Sequence, residues 1–408
     1  MILRNRSLLA LLVAEVVSGI GSRMTFLALP WFVLVTTHSP SKMGLVLAAE
    51  LLPMGLLGIP SGTVVARLGA RTSMLVSDLA RVPLMASLPL LHAAGLLSFP
   101  LLLVLVAVFG CFWAPYFAAQ RTILPELLGN DERTLAQANS VVEGATYTSS
   151  LLGPPIAGVL IAAFGATNVI YIDAATFLFS FVVVLTLVTS KRRAVSEGED
   201  GGGVLAGLTF FLRDSFLGPM VTVIVVYNLL GQMLSAALPV LAFERYGDPK
   251  VAGWLFTAFG VGGVLGTIAA FKLVTKVEPL KLASVAVLGI ALPIWVFTLD
   301  VSLGAMLVAL VISALSNPLV NSPFFGLLTT RTPPALLPKV MTAVITIATI
   351  AGPLGLLAVG PLIEHAGLGW TFATITGGET AVSLVFIGLI ARYRRSEAAA
   401  RLVADAAA

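Results

Sequence analysis

Charged residues and cysteine are both scarce in this chain of 408 residues. Asp, Glu, Lys and Arg make up only 11% of it, whereas 58% is hydrophobic and the mean hydropathy is +1.01. A globule of this composition could not cover its surface with polar groups, which excludes a soluble domain and indicates a protein that lies in lipid. The single cysteine, Cys111, lies in an apolar run and cannot form a disulfide within the chain.

Signatures of catalysis and of bound cofactors are also missing. The sequence contains no G-x-x-x-x-G-K-[ST] phosphate-binding loop, which argues against ATP as the energy source. The three histidines, His38, His92 and His365, lie far apart and show no metal-ligand spacing. We therefore expect no enzymatic activity, no cofactor and no metal site. The basic residues lie in short loops rather than on one face, so we expect no nucleic-acid partner.

Long apolar stretches predict an all-α integral membrane protein. A helix that spans a bilayer needs about 20 apolar residues, and we count about twelve such stretches, of which 99–123 is the fourth. The polar, Gly-rich segment 191–203 interrupts them and reads as a flexible linker. We predict an N-terminal six-helix half at 1–190, a cytoplasmic linker at 191–215, and a C-terminal six-helix half with a short cytoplasmic tail at 216–408.

Two segments of the first half are echoed in the second. The run APYFAAQRTILPELL at 114–128 is similar to SPFFGLLTTRTPPALLP at 322–338. In the same order, LLGPPIAGVLIAAFG at 151–165 is similar to IAGPLGLLAVGPLIEHAG at 350–367. Such echoes are expected of two halves related by an axis along the membrane normal, so the sequence favours a duplicated six-helix architecture.

Positive charges predict the orientation of the chain in the membrane. Of the 24 Lys and Arg residues, all but four fall at the predicted cytoplasmic ends; the exceptions are Lys42, Arg245 and Lys250 outside and Arg23 within the first span. Cationic short loops stay on the cytoplasmic side. We therefore predict a multi-pass protein with both termini in the cytoplasm, and we expect it to be a monomer.

The loop GTVVARLGAR at 62–71 resembles the pattern G-x-x-x-D-R-x-G-R-[RK] between spans two and three of the major facilitator superfamily. The matching residues are Gly62, Arg67, Gly69 and Arg71. Ala66 stands where the family has Asp. The resemblance implies a twelve-helix transporter in which this loop, with Asp78 and Arg81, forms a charge cluster that latches the cytoplasmic side. We expect Asp78 to substitute for the missing acid.

Other segments resemble the bacterial drug-exporter branch of that superfamily, which includes macrolide, tetracycline-type and siderophore exporters. They are APYFAAQRTILPELL, ANSVVEGATYTSSLLGPPIAG and IDAATFLFS. The resemblance implies a proton antiporter in a bacterial cytoplasmic membrane that exports amphipathic or drug-like small molecules, with the cargo, protons and lipid as partners. Two alternatives stay open: an exporter or flippase of an endogenous metabolite, siderophore or lipid, and a membrane sensor or scaffold that transports nothing.

Charged residues inside the first predicted span are candidate functional groups. A charge at the bilayer centre costs about 2.5–3.5 kcal/mol on insertion scales, so each one needs a reason. Glu15, Gly19 and Arg23 follow one another at four-residue steps and share one helix face. We predict a proton-coupling or substrate-binding role for Glu15 and Arg23. The alternative is that Glu15 forms a structural ion pair with Arg23 or with another span.

Span five carries a second polar face, formed by Asn139, Glu143 and Tyr147 at four-residue steps. Glu143 lies well inside the apolar stretch, where loss of water disfavours the charged form of a carboxyl group. That environment suits a group that binds and releases protons, so we predict a coupling or substrate role for this face; the alternative is a static, hydrogen-bonded carboxyl. Further embedded acids are Asp173 in span six, Glu50 in span two and Glu379 in span twelve.

Glycine and proline residues predict bends in two corresponding spans. They are Gly153, Pro154 and Gly158 in span five and Gly352 and Pro353 in span eleven. These residues remove side-chain bulk or backbone hydrogen bonds and so allow close helix approach and bending. With Gly144, the span-five residues also resemble the Gly-Pro signature of antiporters. The alternative interpretation is close packing without any moving part.

Overall fold

The computed structural model describes residues 5–129, 131–190, 217–332 and 336–407, and within those ranges its regular structure is helical, without β-strands. The predicted linker at 191–215 lies outside the described residues. The helices are α1 (Arg6–Thr37), α2 (Pro40–Leu68), α3 (Ala70–Ala93), α4 (Phe99–Gly110), α5 (Trp113–Leu128), α6 (Glu132–Phe164), α7 (Ala166–Leu187), α8 (Leu217–Leu241), α9 (Pro249–Leu273), α10 (Pro279–Ala291), α11 (Leu303–Arg331) and α12 (Leu337–Ala407). A π-helical turn, Ala242–Tyr246, follows α8, and a 3₁₀ segment, Leu292–Thr298, follows α10.

Within the described ranges, eleven segments are long and apolar enough to cross a membrane. The last of them, Thr346–Arg395, contains 50 residues, which at 1.5 Å per residue make about 75 Å of helix, more than twice the roughly 30 Å of a hydrocarbon core. The helix is interrupted at Gly367, whose φ of 80° and ψ of 168° are not helical. This segment therefore has room for two crossings, and the prediction of an all-α protein with about twelve spans is confirmed.

Single glycines join consecutive spans at three places. Gly69 lies between α2 and α3, Gly165 between α6 and α7, and Gly367 within α12, with φ values of 86°, 83° and 80°. Their ψ values of 151°, 155° and 168° place all three in a region that is essentially restricted to glycine. The predicted repeats 151–165 and 350–367 both end at such a joint, so the local geometry agrees with the internal duplication.

Polar side chains define where several helices begin. Each accepts a hydrogen bond from a backbone N–H of the first turn, which satisfies a donor that the helix itself leaves free. These N-cap residues are Asn5, Ser39, Ser98, Asp131 and Ser302. Short turns with built-in caps explain how the chain re-enters the membrane after only a few residues.

The fourth span is interrupted, which the sequence did not predict. We expected one continuous helix at 99–123, but α4 ends at Gly110 and α5 begins at Trp113 after a turn at Cys111 and Phe112. At the end of α4 the backbone of Glu50 in α2 lies so close to Gly110 that a Cβ atom there would overlap it. The expectation of an unbroken helix is therefore wrong, although the segment remains long and apolar enough for one crossing.

One compact unit contains the described parts of Met1–Gly198 together with Ala236–Thr257 and Leu356–Glu364. An apolar core of this unit lies among α1, α3, α5, α6 and α7. The core includes Leu8, Leu11, Met74, Ile123, Val142 and Val184, all fully or almost fully buried. This core includes Tyr116 and packs together the helices that carry the polar groups described below.

The second compact unit contains the described parts of Glu199–Ser235, Ala258–Gly355 and His365–Ala408. Its core residues come from α8, α10, α11 and α12 and include Met220, Val287, Phe324, Val344 and Phe386. The two units do not follow the predicted boundaries, because short pieces of the second half join the first unit. The division into halves at 1–190 and 216–408 stays a prediction.

Candidate functional site

Glu15 of α1 is held by two side chains of α5. The hydroxyl of Tyr116 donates to its Oε1 over 2.8 Å, and the amide Nε2 of Gln120 donates to its Oε2 over 2.6 Å. Tyr116 and Gln120 lie one helical turn apart and are both buried. The structure thus connects Glu15 to another span rather than to Arg23, whose side chain is exposed.

Arg81 of α3 is almost completely buried, with 1% of its surface exposed, and is surrounded by aromatic rings. Its guanidinium carbon lies 4.4 Å from the ring centre of Tyr116, 4.9 Å from that of Trp113 and 5.2 Å from that of Phe177. Its Nη2 donates to the carbonyl oxygen of Phe112 over 2.8 Å, at the turn between α4 and α5. The electron-rich ring faces stabilise the cation in the absence of water.

Two fully buried aspartates lie near this arginine. Asp78, one turn before Arg81, places its Oδ1 3.7 Å from the guanidinium Nη1 and accepts a 2.7 Å hydrogen bond from the hydroxyl of Ser180. Asp173 of α7 accepts a hydrogen bond of 2.5 Å from Thr25 of α1 and one of 3.1 Å from Thr176. Each aspartate therefore accepts a hydrogen bond from another helix, whereas Oδ1 of Asp78 has no hydrogen-bond partner among the described residues.

We call these six residues the Arg81 cluster: Glu15, Asp78, Arg81, Tyr116, Gln120 and Asp173. Among the described residues, Asp78 lies at ion-pair distance from the guanidinium of Arg81, and Glu15 and Asp173 interact with its charge over longer distances. An uncompensated carboxylate is costly in a buried site, so the cluster cannot hold all three acids ionised without a large penalty. Its net charge can change by protonation while its hydrogen bonds persist.

Glu143, the acid expected in a buried position, is partly exposed. Its Oε1 lies 2.8 Å from Nη2 of Arg121, and Nη1 of the same arginine donates to Oδ1 of Asn139 over 3.1 Å. The arginine and glutamate side chains are 57% and 46% exposed, and Tyr147 is exposed as well. The structure thus brings Asn139 and Glu143 together through a cation on α5. The predicted coupling role of this face stays a prediction.

The loop at 62–71 is held differently from the predicted latch. Nη2 of Arg71 donates to the carbonyl oxygen of Leu185 over 2.6 Å. Leu185 lies in the last turn of α7, whose carbonyl groups have no partners within the helix and attract cations. The structure therefore pairs Asp78 with Arg81 and Ser180, while Arg71 caps α7. The role in cytoplasmic gating stays a prediction for all six residues, which are Gly62, Arg67, Gly69, Arg71, Asp78 and Arg81.

The glycines predicted to permit bends lie at close helix contacts. A Cβ on Gly153 would overlap Cβ of Arg23, and one on Gly158 of α6 would stand 3.0 Å from the carbonyl oxygen of Pro249 at the start of α9. In return, a Cβ on Gly253 would stand 2.8 Å from the carbonyl oxygen of Pro154. A Cβ on Gly352 would stand 3.3 Å from the side chain of Gln232 in α8. These contacts agree with close packing, and bending at Pro154 and Pro353 stays a prediction.

The partners of Glu15 and Arg81 were missed by sequence reasoning. Tyr116 and Gln120 stand four residues apart in APYFAAQ, and that spacing is the one signal that could have indicated a shared face. Ser180 and Thr25 carry no comparable signal, since hydroxyl groups in spans mostly bond to their own helix. Among the described residues, no group of three or more His, Cys, Asp and Glu side chains is arranged to hold a metal ion.

Comparison with known proteins gives one family over most of the chain. The family model described as Major Facilitator Superfamily matches residues 11–356. A multidrug efflux pump named Tap from Mycolicibacterium fortuitum is 29% identical over 397 residues and covers 95% of each chain. The pump of the same name from Mycobacterium tuberculosis is 25% identical over 388 residues, covering 93% of this chain and 91% of the pump.

Solved structures show the same fold at low sequence identity. A crystal structure of the nucleoside transporter NupG superposes with a TM-score of 0.77 at 12% identity, covering 94% of this chain and 99% of that one. A bacterial homologue of the lysosomal transporter Spinster superposes with a TM-score of 0.70 at 14% identity, covering 94% and 93%. These likenesses establish the helical arrangement without indicating a cargo.

Proposed function

The chain belongs to the Major Facilitator Superfamily, and we propose that it is a secondary active exporter of amphipathic, drug-like small molecules that works by proton antiport in a bacterial cytoplasmic membrane. Family membership makes it a multi-pass membrane transporter and not an enzyme. The two Tap pumps, named for multidrug efflux, support the class of cargo because they align with nearly the whole chain.

The observation that supports proton coupling is the excess of acids in the Arg81 cluster. Arg81 is a fixed positive charge, enclosed by three rings and anchored to the backbone at Phe112. One ionised acid can balance it, whereas further ionised acids lack a counter-charge. Closing the cluster to water therefore favours proton uptake, and opening it to water favours release.

Glu15 is the member of this cluster best suited to carry the proton. Its hydrogen-bond donors are neutral, so protonation of the carboxylate does not break an ion pair. The hydroxyl of Tyr116 donates to the carboxylate and can turn to accept from the protonated carboxyl, because a phenol is both donor and acceptor. Gln120 donates to the other oxygen in either state. Both protonation states thus keep their hydrogen bonds, as reversible coupling requires.

Proteoliposomes test the proposal with ethidium as cargo. We expect the wild type to accumulate ethidium when only a pH gradient is supplied. Glu15→Gln should lose this accumulation yet retain ethidium counterflow, which needs no net proton movement. Glu143→Gln is the matched comparison, because it also neutralises one acid of a span but lies in the half-exposed pair with Arg121.

The outcomes separate the alternatives. Loss of coupling in Glu143→Gln alone would transfer the role to the Arg121–Glu143 pair. Uphill transport by both variants would remove proton coupling from these acids. Absence of counterflow with ethidium and with other amphipathic dyes in the wild type would contradict drug export and favour an endogenous cargo or a sensor.

Orientation requires a separate test. We propose that both termini and the linker face the cytoplasm, as the distribution of Lys and Arg predicts. A Gly198→Cys variant, in which Cys111 has been replaced by Ser, should react with a membrane-impermeant maleimide only after the cells are broken. Labelling in intact cells would reverse the assignment.

A further inference from the structure

Glu379 is a buried acid of α12 that lies outside the Arg81 cluster. It follows the interruption at Gly367 by twelve residues and precedes Arg392 by thirteen, which places it about 18 Å from one and about 20 Å from the other along the helix. Only 3% of its surface is exposed. Glu379 therefore lies near the middle of the last span, far from the basic end of its own helix.

The carboxyl group of Glu379 has an unsatisfied oxygen. Within the part of the chain that the structure describes, Oε2 is buried and has no hydrogen-bond partner. The polar neighbours bind to the backbone instead: the hydroxyl of Ser383 donates to the carbonyl oxygen of Glu379 over 2.7 Å, and that of Tyr227 in α8 lies 3.3 Å from the same oxygen. Ser383 also reaches the carbonyl oxygen of Val287 in α10. The nearby donors thus stabilise the helix contact rather than a carboxylate.

No neighbouring charge compensates Glu379 among the described side chains. Tyr227 is the titratable group that α8 places beside it, and α10 contributes the carbonyl oxygen of Val287. Two ion pairs described in this unit lie elsewhere, where Glu278 contacts the side chains of Lys281 and Arg394. A carboxylate in such a place would carry the full cost of an unpaired buried charge, whereas a protonated carboxyl carries much less.

Glu15, Asp78 and Asp173 provide the contrast. Each of them accepts at least one hydrogen bond from another helix, and Asp78 also has a cation 3.7 Å away. Glu379 has neither in the described structure. Glu379 therefore differs from these three acids, because no side chain described in the structure donates a hydrogen bond to its carboxyl group.

We propose that Glu379 is a second proton-binding site of the transport cycle and holds its proton in this conformation. When the conformational change admits water to the second unit, the O–H bond of the carboxyl breaks, the proton passes to a water molecule, and the carboxylate remains until the site closes on a new proton. The inference rests on the proposed function. It predicts that two protons cross for each neutral cargo molecule when Glu15 carries the other.

Infrared spectroscopy of the purified protein tests the protonation directly. We expect the wild type at neutral pH to show the C=O stretch of a protonated carboxyl that Glu379→Gln removes and Glu379→Asp keeps at a shifted frequency. Glu278→Gln is the matched control, since this acid of the same unit is 42% exposed and ion-paired, and its replacement should leave the band unchanged. A band that Glu379→Gln does not alter would overturn the proposal, as would the absence of any such band in the wild type.

Proteoliposomes test the stoichiometry with chloramphenicol as a neutral cargo. At a gradient of one pH unit, each coupled proton contributes about a tenfold concentration ratio, so Glu379→Gln should accumulate about tenfold less than the wild type. Equal accumulation would overturn the role in coupling. If the wild type accumulates neither chloramphenicol nor ethidium while the infrared band behaves as expected, the proposed function fails and the protonation of Glu379 stands. If the wild type accumulates chloramphenicol and the infrared band does not depend on Glu379, the proposed function stands and the proposed protonation of Glu379 fails.

Discussion

Replacement of Arg81 by methionine should destabilise the N-terminal helices strongly. Methionine replaces the stem of the arginine side chain only as far as the Nε position. It therefore removes the positive charge, the contacts of the guanidinium with the rings of Trp113, Tyr116 and Phe177, and the hydrogen bond to Phe112. The fully buried Asp78 then loses its counter-charge.

The magnitude follows from the geometry of the pair. Two unit charges about 4 Å apart attract by about 4 kcal/mol at an effective dielectric constant of 20, and the observed distance is 3.7 Å. Removing one partner of a buried pair typically costs about 3–5 kcal/mol. Because Ser180 still donates to Asp78, we expect the lower end of this range. For the compact unit that contains Arg81, a loss of about 3 kcal/mol in the free energy of unfolding lowers the Tm by about 6 °C or more.

The single cysteine provides the assay. Cys111 is half-buried at the turn next to Phe112, so a fluorogenic maleimide that reacts during heating reports the loss of structure at the point where Arg81 is anchored. The double variant Asp78→Asn with Arg81→Met should recover most of the lost Tm, because it leaves no unpaired buried charge. Arg121→Met is the control: it removes a cation from an exposed pair, which is worth at most about 1 kcal/mol.

Two results would refute this reasoning. A Tm of Arg81→Met within the range of Arg121→Met would show that the buried pair contributes no more than an exposed one. A double variant no more stable than Arg81→Met would show that the lost stability comes from packing and from the bond to Phe112, not from the unpaired Asp78.

Three further predictions concern helix contacts and ends. Gly158→Ala should lower the Tm, because its Cβ would stand 3.0 Å from a carbonyl oxygen and overpacking costs about 1–3 kcal/mol; Gly144→Ala in the same helix meets no atom within 4 Å and should be neutral or stabilising. Gly69→Ala should cost about 1–3 kcal/mol because of its φ of 86°, whereas Gly62→Ala, with open space inside α2, should not destabilise. Thr134 donates two hydrogen bonds to the side chain of Asp131, one from its hydroxyl and one from its backbone N–H. They lower the pKa of Asp131 below its ordinary value of 3.8. Its contribution to the first turn of α6 is therefore complete above about pH 4 and lost as the pH falls through the lowered pKa.

Each of these predictions has a contradicting outcome. Equal melting temperatures for Gly158→Ala and Gly144→Ala would mean that α6 and α9 can separate at no cost. A stable Gly69→Ala would remove the backbone explanation for this glycine. Protection of the first turn of α6 against hydrogen exchange should depend on pH in the wild type but not in Asp131→Asn, which keeps a cap that does not titrate; an equal dependence in both would assign the effect to another group.

The spans and their joints could be predicted from the sequence because lipid leaves the backbone few choices. A backbone in the hydrocarbon region must satisfy its own hydrogen bonds, so each apolar run becomes a helix whatever it packs against. The same locality applies to Gly69, Gly165 and Gly367, since the backbone geometry at each joint admits essentially only glycine. The break at Cys111 and Phe112 was missed, although Gly110 and Pro115 flank it: Pro115 has no N–H to donate to the carbonyl of Cys111 four residues earlier.

The partners of the polar groups were decided by the tertiary structure. Helical spacing put Glu15 on one face with Gly19 and Arg23, but it could not select Tyr116 and Gln120, which lie about a hundred residues further along the chain. The resemblance put Asp78 in one charge cluster with the loop at 62–71, and it gave no sign that Arg71 donates to a carbonyl oxygen in the last turn of α7.

Burial was the property that the sequence represented least well. Glu143 lies in an apolar stretch and Glu379 follows two glycines, yet the first is half exposed and paired with Arg121 while the second is enclosed and has an oxygen without a partner. Hydropathy averages over a whole helix, whereas the state of one carboxyl depends on which of the few neighbouring side chains face it. The sequence by itself thus determined that acids lie within the membrane, and only the packing of α5, α8 and α10 against them decided which are paired and which stand alone.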